Sequence, residues 1–309
     1  MLAVLAVTAP VFAMLFLGVA LRRLGWIDAR FIDTASSLVF KGTMPVMLFL
    51  AILRADLGTA LQPALLGYFL LATVVTFLLA WGWAILRIPR ADRGVYTQGA
   101  FRGNNGIVGL ALATSLYGDY GLSVGGVLGG LVILSYNSLS AIVLAVYGRD
   151  GKADPRSIVR SIASNPLILG VLAAMPFAYW RVPLPHWLLV SGDYFASMTL
   201  PLALICIGGT LSLSSLRQGG GIALGAALMK MVWLPLLATW GAWLCGFREA
   251  QLAILFLYFA SPTAAASFVM ARASGGNHEL AASIIVITTL AAVLTINLGL
   301  FVLRWGGWI

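Results

Sequence analysis

Long apolar runs, each about the length of a bilayer crossing and joined by short polar connections, are what most limit the folds open to this chain. A helix needs about 20 apolar residues to cross the hydrocarbon core. Runs of that kind occupy residues 3–21, 31–53, 64–86, 96–116 and 122–147, and again 158–179, 188–211, 222–244, 251–271 and 280–303. They lack the alternation of a barrel strand, and in lipid only helices or closed barrels satisfy every backbone group. The expectation is an all-α polytopic membrane protein of ten transmembrane helices. Charged residues make up 9% of the chain and the mean hydropathy is +0.98, whereas a soluble domain carries about 25% charged residues.

The net charge of +9 does not indicate nucleic acid, because the cations collect in loops on alternate sides of the expected bilayer. One set of loops holds Arg22, Arg23, Arg30, Arg87, Arg90, Arg93, Arg149, Lys152, Arg156, Arg160, Arg217 and Arg272, and the other only Arg54, Arg181, Arg248 and Arg304. This is the positive-inside pattern. It puts both termini outside the cytoplasm and the 148–157 connection inside it. The first run has no Lys or Arg before it and Arg22-Arg23 after it, so it reads as a helix rather than a signal peptide. Cys206 and Cys245 form neither metal spacing nor a disulfide framework. No cofactor and no metal are expected.

The polar stretch at 148–157 divides the chain into halves, 1–147 and 158–309, of five spans each. Prolines fall in register across it: Pro10 and Pro166 are 166 − 10 = 156 apart, and Pro45 and Pro201 are 201 − 45 = 156 apart. With an odd number of spans per half the second copy enters from the opposite side, so the repeat is inverted. Inverted repeats with discontinuous helices at the midplane are the architecture of many alternating-access transporters.

Two spans carry turn chemistry in their middle. Span four contains Arg102-Gly-Asn-Asn-Gly106, and span nine contains Ala260-Ser-Pro-Thr263; the same offset sets Gly106 against Pro262, since 106 + 156 = 262. Glycine, Asn-Gly and proline all oppose a continuous helix. A simple kink is one reading. The other is a pair of unwound segments crossing near the midplane, whose half-helix N-termini suit a carboxylate. Asn104, Asn105, Ser261 and Thr263 add side-chain hydrogen bonds there.

Lys41, Arg102 and Lys230 lie inside spans, while every Asp and Glu lies in a loop or near a helix end. Intramembrane cations without acidic partners imply a water-filled cavity or an anionic ligand, although Arg102 also has the option of reaching the headgroups. Tyr136, Asn137, Ser138 and Ser140 make a polar patch in span five, fit for interhelical hydrogen bonds or for the site itself. The expected substrate-binding set is therefore Lys41, Arg102, Asn104, Asn105, Gly106, Tyr136, Asn137, Lys230, Ser261, Pro262 and Thr263.

These residues resemble the auxin efflux carrier family in its shorter bacterial branch. The matching stretches are Met44-Pro-Val-Met-Leu-Phe49, Arg102-Gly-Asn-Asn-Gly-Ile-Val-Gly109, Leu200-Pro-Leu-Ala-Leu-Ile-Cys-Ile-Gly-Gly-Thr-Leu211 and Ser261-Pro-Thr-Ala-Ala-Ala-Ser-Phe-Val-Met-Ala271. The resemblance covers essentially the whole chain. It implies a fold related to the bile acid–sodium symporters, with spans one, two, six and seven as a scaffold, the other six as a mobile elevator-like transport domain, and a homodimer formed through the scaffold. It implies a crossover at Asn104-Asn105 and Pro262, and small carboxylates such as malonate or malate as substrates, where plant members export indole-acetate. The chain departs from many plant members in lacking a long central loop and any mid-span carboxylate.

Two other functions compete. An intramembrane hydrolase has little to work with: His186 and His278 lie between spans, and Lys41 has only Ser36 and Ser37 a turn away. An anion channel would use the same cations as a carrier.

Overall fold

The computed structural model describes residues 2–54, 62–148, 166–210, 220–264 and 266–309. Most of the 148–157 linker, the start of span six, the end of span seven and Arg217 lie outside the described residues. Within them the chain is helical, with no strand and a single isolated β-bridge.

The first half comprises α1 (Leu2–Arg23), α2 (Ala29–Leu38), α3 (Met44–Arg54), α4 (Pro63–Arg87), α5 (Arg93–Phe101) and α6 (Leu110–Tyr147). The second comprises α7 (Pro166–Tyr179), α8 (His186–Ser197), α9 (Thr199–Thr210), α10 (Gly220–Leu228), α11 (Leu234–Leu244), α12 (Glu249–Ala260), α13 (Ala266–Ala273) and α14 (His278–Trp305). Among the described residues, five stretches are long and apolar enough to cross a membrane: Pro63–Arg87, Asn105–Tyr147, His186–Gly209, Gly220–Leu244 and His278–Trp305. Other helices, α3, α7 and α12 among them, are apolar but shorter. The later part of expected span four and all of expected span five form one long stretch, and Gly118 (φ 55°, ψ −133°) breaks it where the loop between them was expected. A residue without Cβ takes that backbone without strain.

Among the described residues, three π-helical turns interrupt the α-helical ladder, at Val39–Thr43, Asn105–Gly109 and Met229–Trp233. Two precede a proline. A proline's ring clashes with the carbonyl four residues back, which is Lys41 for Pro45 and Met231 for Pro235. The ladder slips by one residue instead: the Met44 N–H donates to the Val39 carbonyl and the Leu234 N–H to the Met229 carbonyl. Both mid-span lysines therefore sit in widened turns, a backbone form found often at functional sites. The α8–α9 joint at Met198 is followed by Pro201, the ordinary cause of such a kink.

Polar and apolar residues are distributed for lipid. Leu71, Val74, Val75, Leu78 and Leu79 form an exposed face of α4, while Thr73 and Thr76 are buried on the other side. Exposed apolar area of that extent is untenable in water. The helices gather in two groups: α1 packs on α9, α3 on α7 and α8, and α2 on α9; α4, α5 and α6 pack with one another, as do α11 with α12 and α10 and α13 with α14. The α1–α9 contact is backbone-close. A Cβ on Gly18 would lie 2.2 Å from the Ile205 oxygen and one on Gly208 1.9 Å from the Leu15 oxygen, so only glycine fits, as at other tight helix pairs in membranes.

Candidate functional site

Helix α5 stops at Phe101 because Arg102 turns extended (φ −79°, ψ 114°) ahead of Gly103, and α12 stops at Ala260 because Ser261 does the same (φ −60°, ψ 139°) ahead of Pro262. The two breaks meet. Gly103 and Thr263 form an antiparallel bridge, the Asn104 N–H donates to the Pro262 carbonyl at 2.6 Å, and the Ala264 N–H donates to the Arg102 carbonyl at 3.4 Å. Each break thus satisfies backbone groups of the other, the condition for irregular backbone inside a membrane.

Side chains from three further elements fasten the place where the two breaks meet. The Thr263 hydroxyl donates to the Gly99 carbonyl at 2.7 Å, and its N–H donates to the Thr288 hydroxyl at 3.1 Å. The Ser261 hydroxyl turns back to the Leu257 carbonyl at 2.7 Å. Asn105 is fully buried; its amide donates to the Tyr136 hydroxyl at 3.2 Å, while its Oδ1 has no hydrogen-bond partner among the described residues. Arg102, buried beside it, donates to Asn137 Oδ1 at 2.8 Å and to the Met270 sulfur.

Lys230 reaches the same place from the π-turn between α10 and α11. Its ammonium donates to the Phe259 carbonyl at 2.9 Å and to the Phe101 carbonyl at 3.5 Å, so one cation touches the C-terminal ends of both interrupted helices. A cation is favoured at a helix C-terminus, where carbonyls carry partial negative charge. The opposite polarity belongs to the segments that begin at Asn105 and at Ala266, whose leading N–H groups have no partner within their own helices.

The structure brings together Arg102, Asn104, Asn105, Tyr136, Asn137, Lys230, Ser261, Pro262 and Thr263. Gly106 lies one residue on, against the Met44 methyl of α3, which an added Cβ would approach to 3.2 Å. Lys41 is different. Its side chain is exposed, three residues before Met44 on the same interrupted helix. Sequence reasoning missed Gln98, Thr288 and Met270. Gln98 is fully buried in α5, and its Nε2 donates to the Met270 sulfur at 3.6 Å. A neutral amide in an apolar run was the available signal for it; nothing in the sequence distinguished Met270. No group of three His, Cys, Asp or Glu side chains able to hold a metal occurs among the described residues.

The membrane transport protein family matches residues 3–149 and 154–299. The chain belongs to this family, the auxin efflux carriers. It is 24% identical over 293 residues to an uncharacterized transporter of Methanothermobacter thermautotrophicus, covering 93% of this chain and 94% of that one. It is 27% identical over 216 residues to an uncharacterized transporter of Methanocaldococcus jannaschii, covering 67% and 65%. It is also 26% identical over 316 residues to a protein of Rhizobium meliloti named "Putative malonate transporter", covering 96% and 95%. This auxin efflux carrier family member is a multi-pass membrane transporter, as its family and these relatives are transporters.

Proposed function

We propose that the chain is a secondary carrier of a small organic anion, with a malonate-like dicarboxylate favoured, and that the anion's carboxylate binds where the two interrupted helices cross. The paired breaks carry this reading, because they gather buried amides, two buried cations and two helix starts in one place. The cations' partners there are carbonyls, an amide and a thioether rather than carboxylates, so an anion meets an uncompensated positive site. The name of the Rhizobium meliloti relative supports malonate as the substrate class.

In this reading the chain is a ten-helix 5+5 inverted repeat, with the halves at 1–147 and 158–309. Irregularities beside Pro45 and Pro201, and breaks in spans four and nine, support it. The α1–α3 and α7–α9 group is the scaffold and the homodimer surface; α4–α6 and α10–α14 form the transport domain, which moves as an elevator. Both termini are non-cytoplasmic in a bacterial inner membrane, as the loop cations indicate. Lys41, on the scaffold side of the crossing, supplies an exposed cation along the anion's path.

Counterflow in proteoliposomes tests the proposal. Vesicles preloaded with malonate are expected to accumulate labelled malonate transiently and with saturation. Linear, non-exchanging flux would make the protein a channel, and uptake of indole-acetate in place of malonate would make it an aromatic monocarboxylate carrier.

A further inference from the structure

Two N–H donors converge on one weak acceptor beside the crossing. Arg102 and Gln98 both donate to the Met270 sulfur, from a guanidinium 7% exposed and an amide fully buried. A thioether accepts poorly, and a guanidinium held away from water normally takes a carboxylate in its planar fork. Among the described residues no carboxylate compensates Arg102, whose other branch holds the neutral Asn137 amide. The arrangement has the donors of an oxyanion site with sulfur in the oxyanion's position.

Its location bears on substrate choice. Arg102 caps α5 one residue before the Gly103 bridge. Asn105 at the crossing and Arg102 are held by Tyr136 and Asn137, consecutive residues of α6, whose Cα atoms lie about 3.8 Å apart. The crossing and the guanidinium are thus both fastened to neighbouring residues of one helix. We propose that Arg102 and Gln98 form a subsite for the second carboxylate of a small dicarboxylate, which displaces the Met270 sulfur from their N–H groups. This rests on the reading that a first carboxylate binds at the crossing. A carboxylate oxygen makes charge-assisted bonds where sulfur makes weak ones, so a diacid gains from the exchange and a monoacid leaves the sulfur in place. Methionine suits the role because its unbranched side chain repacks easily.

The probes are malonate and its monomethyl ester, which share a skeleton and differ by one carboxylate. Binding of both is measured to the full chain and to Met270→Glu, Met270→Leu and Gln98→Leu, with thermal unfolding as a check on folding. Met270→Glu builds a carboxylate into the subsite, and the preference for malonate over the ester is expected to fall about ten- to a hundredfold. Met270→Leu removes the competing acceptor and is expected to raise that preference; Gln98→Leu is expected to lower it. If Met270→Glu does not fold, the other two variants decide. Unchanged preference in the folded variants overturns the subsite while leaving the carrier reading intact. A wild-type protein that binds neither probe overturns both.

Discussion

At the scale of single residues, the proposed crossing depends on two side chains with different tasks. Lys230 is the cation of the two helix C-termini, so Lys230→Met leaves the Phe101 and Phe259 carbonyls without it. An unsatisfied buried acceptor costs about 1–3 kcal/mol, partly offset because a buried ammonium no longer has to be desolvated. The expected result is a lower unfolding midpoint in detergent together with loss of malonate counterflow; a variant with wild-type values for both would make Lys230 dispensable. Asn105 is the amide of the crossing, and Asn105→Ala is expected to weaken malonate binding about ten- to a hundredfold, the worth of about 1.5–3 kcal/mol for a hydrogen bond to a charged group. Titration of the variant by calorimetry checks this. Gly103 admits no side chain, since a Cβ there would lie 2.0 Å from Asn105 Oδ1 and 3.0 Å from Lys230 Nζ. Gly103→Ala is therefore expected to abolish uptake by pushing both groups aside, and wild-type uptake by that variant would show a looser crossing. Much of this was legible in the sequence: Asn-Asn-Gly and Ser-Pro-Thr are conspicuous in apolar runs. Which carbonyls Lys230 touches was not, because they come from residues 129 and 29 positions away. Lys41 reads like Lys230 along the chain, yet the structure leaves its side chain exposed and buries that of Lys230. Periodicity in an apolar run does not say which face meets protein.

At the scale of elements, proline governs where the helices bend. Pro45 and Pro235 each follow a π-turn, and each π-turn carries a lysine. The widened turn before Pro235 sets the direction in which Lys230 leaves its helix. Pro235→Ala restores the donor that an unbroken ladder needs, and is expected to reduce malonate uptake more than it reduces thermal stability. Parallel measurement of both quantities separates a shifted lysine from general damage, which would lower them together. The sequence announced the prolines and the breaks, but not the π-turns, since slippage by one residue depends on neighbouring helices accepting the bulge. It also marked ends well where they coincide with charge: α4 ends at Arg87 and α14 at Trp305, within two residues of the expected limits.

At the scale of the whole molecule, an apolar exterior surrounds a polar seam that runs through α5, α6, α12, α13 and α14. The seam explains why the chain keeps buried Gln98, Arg102, Asn105 and Lys230 despite the cost of desolvating them. The two helix groups, one joined through the glycine-lined α1–α9 contact, give the proposed motion a rigid reference. Filling that contact with Gly208→Leu is expected to lower stability while leaving the crossing's residues unaltered, a result read by thermal unfolding beside malonate affinity in the fraction that remains folded. The helical class and membrane residence followed from composition and run length alone; the backbone bonds that join the two distant breaks needed three dimensions. The central claim, that a carboxylate sits between 102–106 and 261–264, is tested most directly by a cryo-electron microscopy structure of the full chain in lipid nanodiscs with bromomalonate. The account predicts density for the anion against Asn105 and the start of the segment that follows it, with the second carboxylate toward Arg102. Density for the anion elsewhere, with the crossing unchanged, would contradict it.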